Sequence, residues 1–371
     1  MSLQAKKQSF WTTFKKAYLK SRDLKSFWRK FDKSNLSKDL VEIFNAYIAS
    51  DSYIWLAKHW HNNIINHLEV ISIKKDYDLI FDTEYFTVNN FNDEFIESAW
   101  KQIKEKNIKL DVNLFKKQSN YSITQSINHN IILLLLYEII KDRKVFNNIK
   151  KINKVNKNNF INKPSLLIEA NEITQDDLNS LLEFEKIEKL LNKTKNKKNK
   201  ILEIGAGSGR TAQSLLSIID NVKYVIADVP PAIYFSLNNL KKCFPNKKIL
   251  TAFDIQNEND INLALDNCDV LFIFPHQIKL FDKKTFDITL AIDCLHEMEK
   301  KVIKVYMGMI DKVSQFLYFK VWENSGLNYS FFEHHKASSK SDYSIKDTWV
   351  EHLNEKCLYP SNYAEFGYEL K

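Results

Sequence analysis

Apolar positions along the first 200 or so residues recur mainly at helical spacing. Within residues 51–71, Tyr53, Ile54, Ala57, Trp60, Ile64, Ile65 and Leu68 fall on one stripe, with Asp51 or Ser52 as N-cap. Residues 119–142 hold the longest apolar run, Ile131 to Tyr137, and predict a buried helix. That run is roughly a third of the ~20 residues a bilayer span needs, so no transmembrane segment is expected. Thr174 reads as the N-cap of a further helix. Asp176 and Asp177 lie in its first turn, where the helix dipole favours acids, and Leu178, Leu181, Leu182, Ile187 and Leu190 follow. Lysine–asparagine tracts at 147–159 and 192–200 read as exposed loops.

After Lys200 the period changes. Short β-branched runs at 201–204, 224–227, 249–253, 270–274, 288–292 and 316–321 predict strands. Helices are expected from about Arg210, over 232–243 and over 297–313. This alternation predicts an α/β unit, a mostly parallel sheet with helices on both faces, which binds ligands at the carboxyl ends of its strands. The expected organisation is a mainly helical N-terminal domain (1–165), a helical connector (166–200) and an α/β domain (201–371). The N-terminal domain would serve as a lid, a scaffold or a dimer surface. Trp55, Trp60, His59 and His61, clustered near one helix, favour a lid that excludes water from a site.

Composition narrows this picture little. Of the 371 residues, 44% are hydrophobic, enough for a sizeable core. The N-terminus lacks the apolar segment and small-residue cleavage site of a secretory signal. Cys243, Cys268, Cys294 and Cys357 show no CxxC spacing, which argues against a zinc site or a disulfide framework and fits a reducing cytoplasm. The net charge of +8 comes from lysines spread along the whole chain, with only four arginines. Nucleic-acid readers favour arginine, so this charge reads as a solvated surface and no nucleic-acid partner is expected.

Candidate chemistry concentrates after the first α/β strand. Glu203-Ile204-Gly205-Ala206-Gly207-Ser208-Gly209-Arg210 follows a strand and opens a helix. Glycines there allow a sharp turn and close approach of a ligand, and the helix start offers N–H groups to an anion. The spacing is G-x-G-x-G, unlike the G-x-G-x-x-G of dinucleotide binders. The next strand ends at Asp228, where a carboxylate can accept both ribose hydroxyls of a nucleoside. Together these elements resemble the first motif and the ribose-binding acid of class I S-adenosylmethionine-dependent methyltransferases, which implies their Rossmann-like fold. By that resemblance Gly205, Ala206 and Gly207 pack against the methionine moiety of S-adenosyl-L-methionine. Glu203 acts near its amino group, and Asp228 and Val229 hold the ribose side.

Further segments are similar to a family of bacterial sugar O-methyltransferases found among glycan genes. They are Ile173-Thr174-Gln175-Asp176-Asp177-Leu178-Asn179-Ser180, Asp228-Val229-Pro230-Pro231-Ala232, Pro275-His276-Gln277, Glu297-Met298, and Asp342-Tyr343 with Trp349. The resemblance spans roughly Pro164 to Trp349. It implies methylation of a sugar hydroxyl in glycan or polysaccharide biosynthesis, with a small-molecule or glycan acceptor and S-adenosyl-L-homocysteine as product. Methylation of another small molecule, RNA modification and a non-catalytic scaffold are the alternatives. The family commonly carries glutamine where this chain has His296.

Methyl transfer to a hydroxyl requires an aligned acceptor, loss of its proton and exclusion of water. Asp293-Cys294-Leu295-His296-Glu297-Met298 follows a strand in the active half and resembles the L-H-[DE] segment of small-molecule O-methyltransferases, whose histidine is the general base. His296 has a suitable intrinsic pKa, and Glu297 would orient it or act as the base itself; Asp293 is placed with the cofactor. His276 and Gln277 would read the adenine edge or line the pocket, with Asp254 as a competing adenine-side candidate. Arg210 either clamps an acidic substrate or the methionine carboxylate, or forms a structural salt bridge. Glu333, His334 and His335 invite a metal reading, but adjacent histidines diverge and no metal is expected. Tyr329, Phe331, Tyr343 and Trp349 are candidates for an aromatic wall or for core.

Overall fold

The computed structural model describes residues 24–50, 60, 64–65, 67–69, 71–72, 93–115, 123–156, 164–169, 171–194, 199–322, 340–357 and 363–371. The N-terminal part is built of α1 (Leu24–Lys30), α2 (Lys38–Ala49), α3 (Asp93–Glu105), α4 (Ile123–Ile140) and α5 (Ile149–Asn156). The described residues between 60 and 72 are helical as well. Ser37 caps α2 by accepting the Leu40 N–H at 3.2 Å, and Leu40, Ile43, Phe44 and Tyr47 form its buried stripe. Ile131 to Leu136 of α4 are all buried, as a helix apolar on every side requires.

A hairpin of β1 (Ser165–Ile168) and β2 (Asn171–Thr174) follows and leads straight into α6 (Gln175–Leu191). The expected cap at Thr174 is present and is reciprocal. Thr174 Oγ1 accepts the Asp177 N–H, and Asp177 Oδ2 accepts the Thr174 N–H at 2.8 Å. The hairpin itself is a finding the helical reading of this stretch did not contain.

The main sheet comprises β3 (Lys200–Ile204), β4 (Lys223–Ala227), β5 (Ile249–Thr251), β6 (Val270–Ile273), β7 (Phe286–Ile292), β8 (Ser314–Trp322), β9 (Val350–Lys356) and β10 (Tyr363–Glu369). Its order is β5-β6-β4-β3-β7-β8-β10-β9. Strands β3 to β8 run parallel, and β10 is antiparallel to both its neighbours. The helices α7 (Arg210–Ile218), α8 (Ala232–Cys243), α9 (Glu258–Asp266) and α10 (Lys300–Val313) connect them. This is a Rossmann-like α/β fold, with a largely helical region before it.

Alternate residues of each strand enter different cores, as the two-residue period dictates. Ile201, Tyr224, Ile226, Val270, Phe272, Ile288, Leu290, Phe316 and Tyr318 join a cluster shared with α1, α2, α4, α6, α7 and α8. Leu202, Val225, Leu271, Ile273, Ala291, Leu317 and Phe319 join one shared with α9, α10 and β10. Every residue of β7 is buried, as a central parallel strand must be.

The sequence pattern needs correcting in four places. β5 ends at Thr251 rather than at 253. A short 3-10 turn, Leu295–Glu297, intervenes before α10, which starts at Lys300. α9 was not expected. The two C-terminal strands were not expected either: β9 is almost wholly polar and exposed, so nothing in its pattern marks it as a strand.

Candidate active site

The sheet order reverses around β3, whose neighbours are β4 on one side and β7 on the other. A crevice at such a switch point is where ligands bind in this architecture. The glycine loop leaves β3 there. Gly205, Gly207 and Gly209 all have positive φ, at 70°, 58° and 79°. A Cβ on Gly205 would lie 2.7 Å from Cys294 Cβ, and the Cys294 thiol donates to the Ile204 carbonyl at 3.2 Å. The loop is thus wedged against the end of β7. A Cβ on Gly207 would meet no atom within 4 Å, so this part of the loop faces open space.

Asp228 follows β4 and is buried. Its Oδ2 accepts the Gly207 N–H at 2.8 Å, and its Oδ1 accepts the Val229 N–H at 2.7 Å. Burial pushes its carboxyl up to about 7, although both N–H donors favour the charged form. A carboxylate has about four lone-pair sites, so two acceptor positions remain for a ligand. Glu203 is also buried, accepts the Tyr224 hydroxyl at 2.7 Å, and is raised by burial to about 7. Ala206 and Val229 are buried beside the loop.

On the β7 side lies a buried charge cluster. Arg210 grips Glu183 of α6 with both forks, at 2.7 and 3.0 Å, and donates to Ser180 Oγ at 3.1 Å. Lys320 of β8 donates to the same carboxylate at 3.0 Å. Burial would raise Glu183, but the two cations outweigh it and hold the carboxyl at about 2. Asp293 ends β7 with φ 57°; one oxygen is 3.7 Å from Arg210 Nη2, and the other is buried with no partner. Arg210, expected among the cofactor contacts, is therefore taken up by the structural salt bridge that was its other reading.

The polar face of α6 extends this cluster. Gln175, Asn179 and Glu183 are spaced four apart and so lie on adjoining turns of one face. All three are buried; both polar atoms of the Gln175 amide and the Asn179 Nδ2 have no hydrogen-bond partner among the described residues.

Other expected residues separate into those near the crevice and those away from it. Gln277 is fully buried, but its Oε1 accepts the Phe274 N–H at 2.8 Å and its Nε2 donates to the Ala252 and Ile255 carbonyls at 2.5 and 2.8 Å. It latches two loops together, and its amide is occupied by backbone. His276 is buried, its ring 6.4 Å from that of Phe274. Asp254 is exposed. His296 is buried in the turn after β7, its ring edge-on to Tyr363 at 5.8 Å. Glu297 accepts the Trp60 indole N–H at 2.9 Å, which ties the N-terminal region to the turn holding both candidate bases. Tyr343 and Trp349 are core residues, whereas Tyr329, Phe331, Glu333, His334, His335, Trp55, His59 and His61 lie outside the described residues.

Sequence reasoning missed Tyr47, Glu183 and Lys320, which no motif flags, and gave Cys294 no role although it stands in the segment around His296. They come together from α2, α6, β8 and the turn after β7 only because the chain folds as it does. The arrangement offers a cradle over Gly207, a carboxylate with spare acceptor capacity, and an unpartnered acceptor on Asp293. These suit a nucleoside joined to a cationic amino acid, as in S-adenosylmethionine.

No protein-family model and no curated protein matches the chain. Solved structures similar to it include a S-adenosylmethionine-dependent methyltransferase from Clostridium acetobutylicum, at 11% identity over 52% of this chain and 90% of that one, with a TM-score of 0.36. Another is an O-methyltransferase family protein from Burkholderia thailandensis, at 12% identity over 52% and 57%, with a TM-score of 0.32. A third is a mitomycin 7-O-methyltransferase, at 10% identity over 53% and 56%, with a TM-score of 0.33. These likenesses leave the acceptor unspecified.

Proposed function

We propose that the chain is a S-adenosylmethionine-dependent O-methyltransferase acting on a sugar hydroxyl. The observation that carries the cofactor reading is the pairing of Asp228 with the Gly207 N–H beside the open space over that glycine. The bound cofactor supplies an electrophilic methyl group, so the protein need only bind, orient and deprotonate. Gly205, Ala206 and Gly207 would border the amino-acid moiety. Asp228 would accept the ribose hydroxyls, with Val229 alongside. The unpartnered oxygen of Asp293 would accept from the ammonium group, and Glu203 would act from behind the loop through its charge.

His296 or Glu297 would take the acceptor's proton. Trp60, bonded to Glu297, would help exclude water. Support for a sugar comes from the segments that resemble sugar O-methyltransferases and from the unpartnered amides of Gln175 and Asn179. Paired amide donors and acceptors match vicinal hydroxyls.

The test has two steps. Calorimetric titration with S-adenosylhomocysteine should give binding that Asp228→Ala abolishes; failure of the intact chain to bind refutes the cofactor assignment. Methyl transfer from labelled S-adenosylmethionine to a panel of methyl glycosides and nucleotide-sugars then tests the acceptor. Loss of the general base should slow transfer about 10²- to 10⁴-fold. Full activity in both His296→Ala and Glu297→Gln would sink the catalytic assignment.

A further inference from the structure

Tyr47 of α2 reaches the end of the strand beside the one that leads to Asp228. Its ring packs edge-on against Phe274 at 5.4 Å, and Phe274 stacks on Phe253 at 4.4 Å. Phe274 follows β6, the strand beside β4, and the Asp228 N–H donates to the Ile273 carbonyl at 3.3 Å. Tyr47 thus packs at the end of the strand beside β4, and Asp228 and Tyr306 of α10 act electrostatically on its hydroxyl.

Aromatic packing and a hydrogen bond fix the position of α2. Phe44 packs edge-on to Tyr47 at 6.2 Å and stacks on Trp28 at 4.3 Å. At its start, α2 is pinned to α8 by a hydrogen bond from Ser37 Oγ to the Tyr234 hydroxyl at 2.9 Å. Yet the Tyr47 hydroxyl is wholly buried and has no hydrogen-bond partner among the described residues. Burial keeps it protonated well above neutral pH, so it is a donor. A buried donor without an acceptor is a cost that phenylalanine in the same place would not carry.

We propose that Tyr47 is a cofactor-binding residue: its hydroxyl donates to the nucleoside held by Asp228, so that helix α2 forms one wall of the cofactor pocket. This rests on the cofactor reading above and deepens it. The N-terminal region then acts on the cofactor directly, as well as on the turn with His296 and Glu297.

The probes are S-adenosylhomocysteine and 5′-methylthioadenosine, which share the nucleoside and differ in the amino-acid arm. Each is titrated calorimetrically into the full chain and into Tyr47→Phe. Loss of one neutral hydrogen bond should weaken both ligands by a similar factor, roughly three- to tenfold. The thermal midpoint of the ligand-free variant should stay level or rise. Equal affinities in variant and parent overturn the proposal, as does weakening confined to S-adenosylhomocysteine, which would place the hydroxyl at the amino-acid arm. A lower midpoint without ligand would show that the hydroxyl serves the fold, and also overturns it. If the parent chain binds neither probe, the cofactor reading itself falls and takes this assignment with it.

Discussion

Gly205 and Gly207 stand in the same turn, but the fold surrounds them differently. Both Gly205 and Gly207 hold a left-handed conformation, which costs other residues about 1–2 kcal/mol. A methyl on Gly205 would also collide with Cys294, whereas one on Gly207 would point into open space. Gly205→Ala is therefore expected to lower stability in urea unfolding by about 3 kcal/mol, strain and overpacking together. Gly207→Ala should lose only about 1–2 kcal/mol but should bind S-adenosylhomocysteine far more weakly, because the methyl enters the cofactor's space. Equal stability losses would contradict the assignment of the two surfaces. The glycine spacing was legible in the sequence because a sharp turn leaves a local signature. The wedge of Cys294 was not, since it lies some ninety residues away and only strand pairing of β3 with β7 brings it there.

At the scale of the element, α6 shows how much a pattern conceals. Its cap at Thr174 and its apolar stripe were readable from spacing alone. Its other face was not, because Gln175, Asn179 and Glu183 look like the solvated side of an amphipathic helix until β7 and β8 cover them. Two kinds of substitution should separate on this face. Glu183→Gln leaves the buried cations of Arg210 and Lys320 without their shared anion and should cost about 3–5 kcal/mol. Gln175→Leu and Asn179→Leu remove amide atoms that have no partner, so stability measured in urea should hold or improve. If these amides face the acceptor, the same two variants should raise the acceptor's KM while leaving S-adenosylhomocysteine affinity unchanged. A stability loss like that of Glu183→Gln would instead make them structural. The edge strand β9 illustrates the opposite failure, since strand formation there is decided by the hydrogen bonds of β10 rather than by its own residues' preference.

For the molecule as a whole, the parallel sheet was legible because β-branched runs alternate with helices, but its joining to the N-terminal helices through one core was not. Asp228 and Glu203 are buried beside this core, and burial has a consequence for pH. Asp228 and Glu203 each titrate near 7 in the folded chain, against ordinary values of 3.8 and 4.5. The fold therefore favours their protonated forms. Their contribution to stability is complete below the ordinary values and is lost as pH rises through about 7, at up to about 1.4 kcal/mol per pH unit for each group. Glu183, held near 2, behaves oppositely, but its contribution fades only below about its ordinary 4.5 and leaves the range from 5 to 8 untouched. The ligand-free protein should accordingly unfold at lower temperature at pH 8 than at pH 5.5, and Asp228→Asn should flatten that slope by removing one of the two groups. If Asp228 holds the ribose as proposed, its hydroxyls would donate to the ionised carboxylate, so S-adenosylhomocysteine should bind more tightly at pH 8 than at pH 6 and raise the midpoint more there. Thermal scans of both proteins across this range, with and without ligand, check the argument. A slope identical in parent and Asp228→Asn would mean that the carboxylate is already ionised in the empty crevice, held so by the Gly207 and Val229 N–H groups, and that burial does not govern the site.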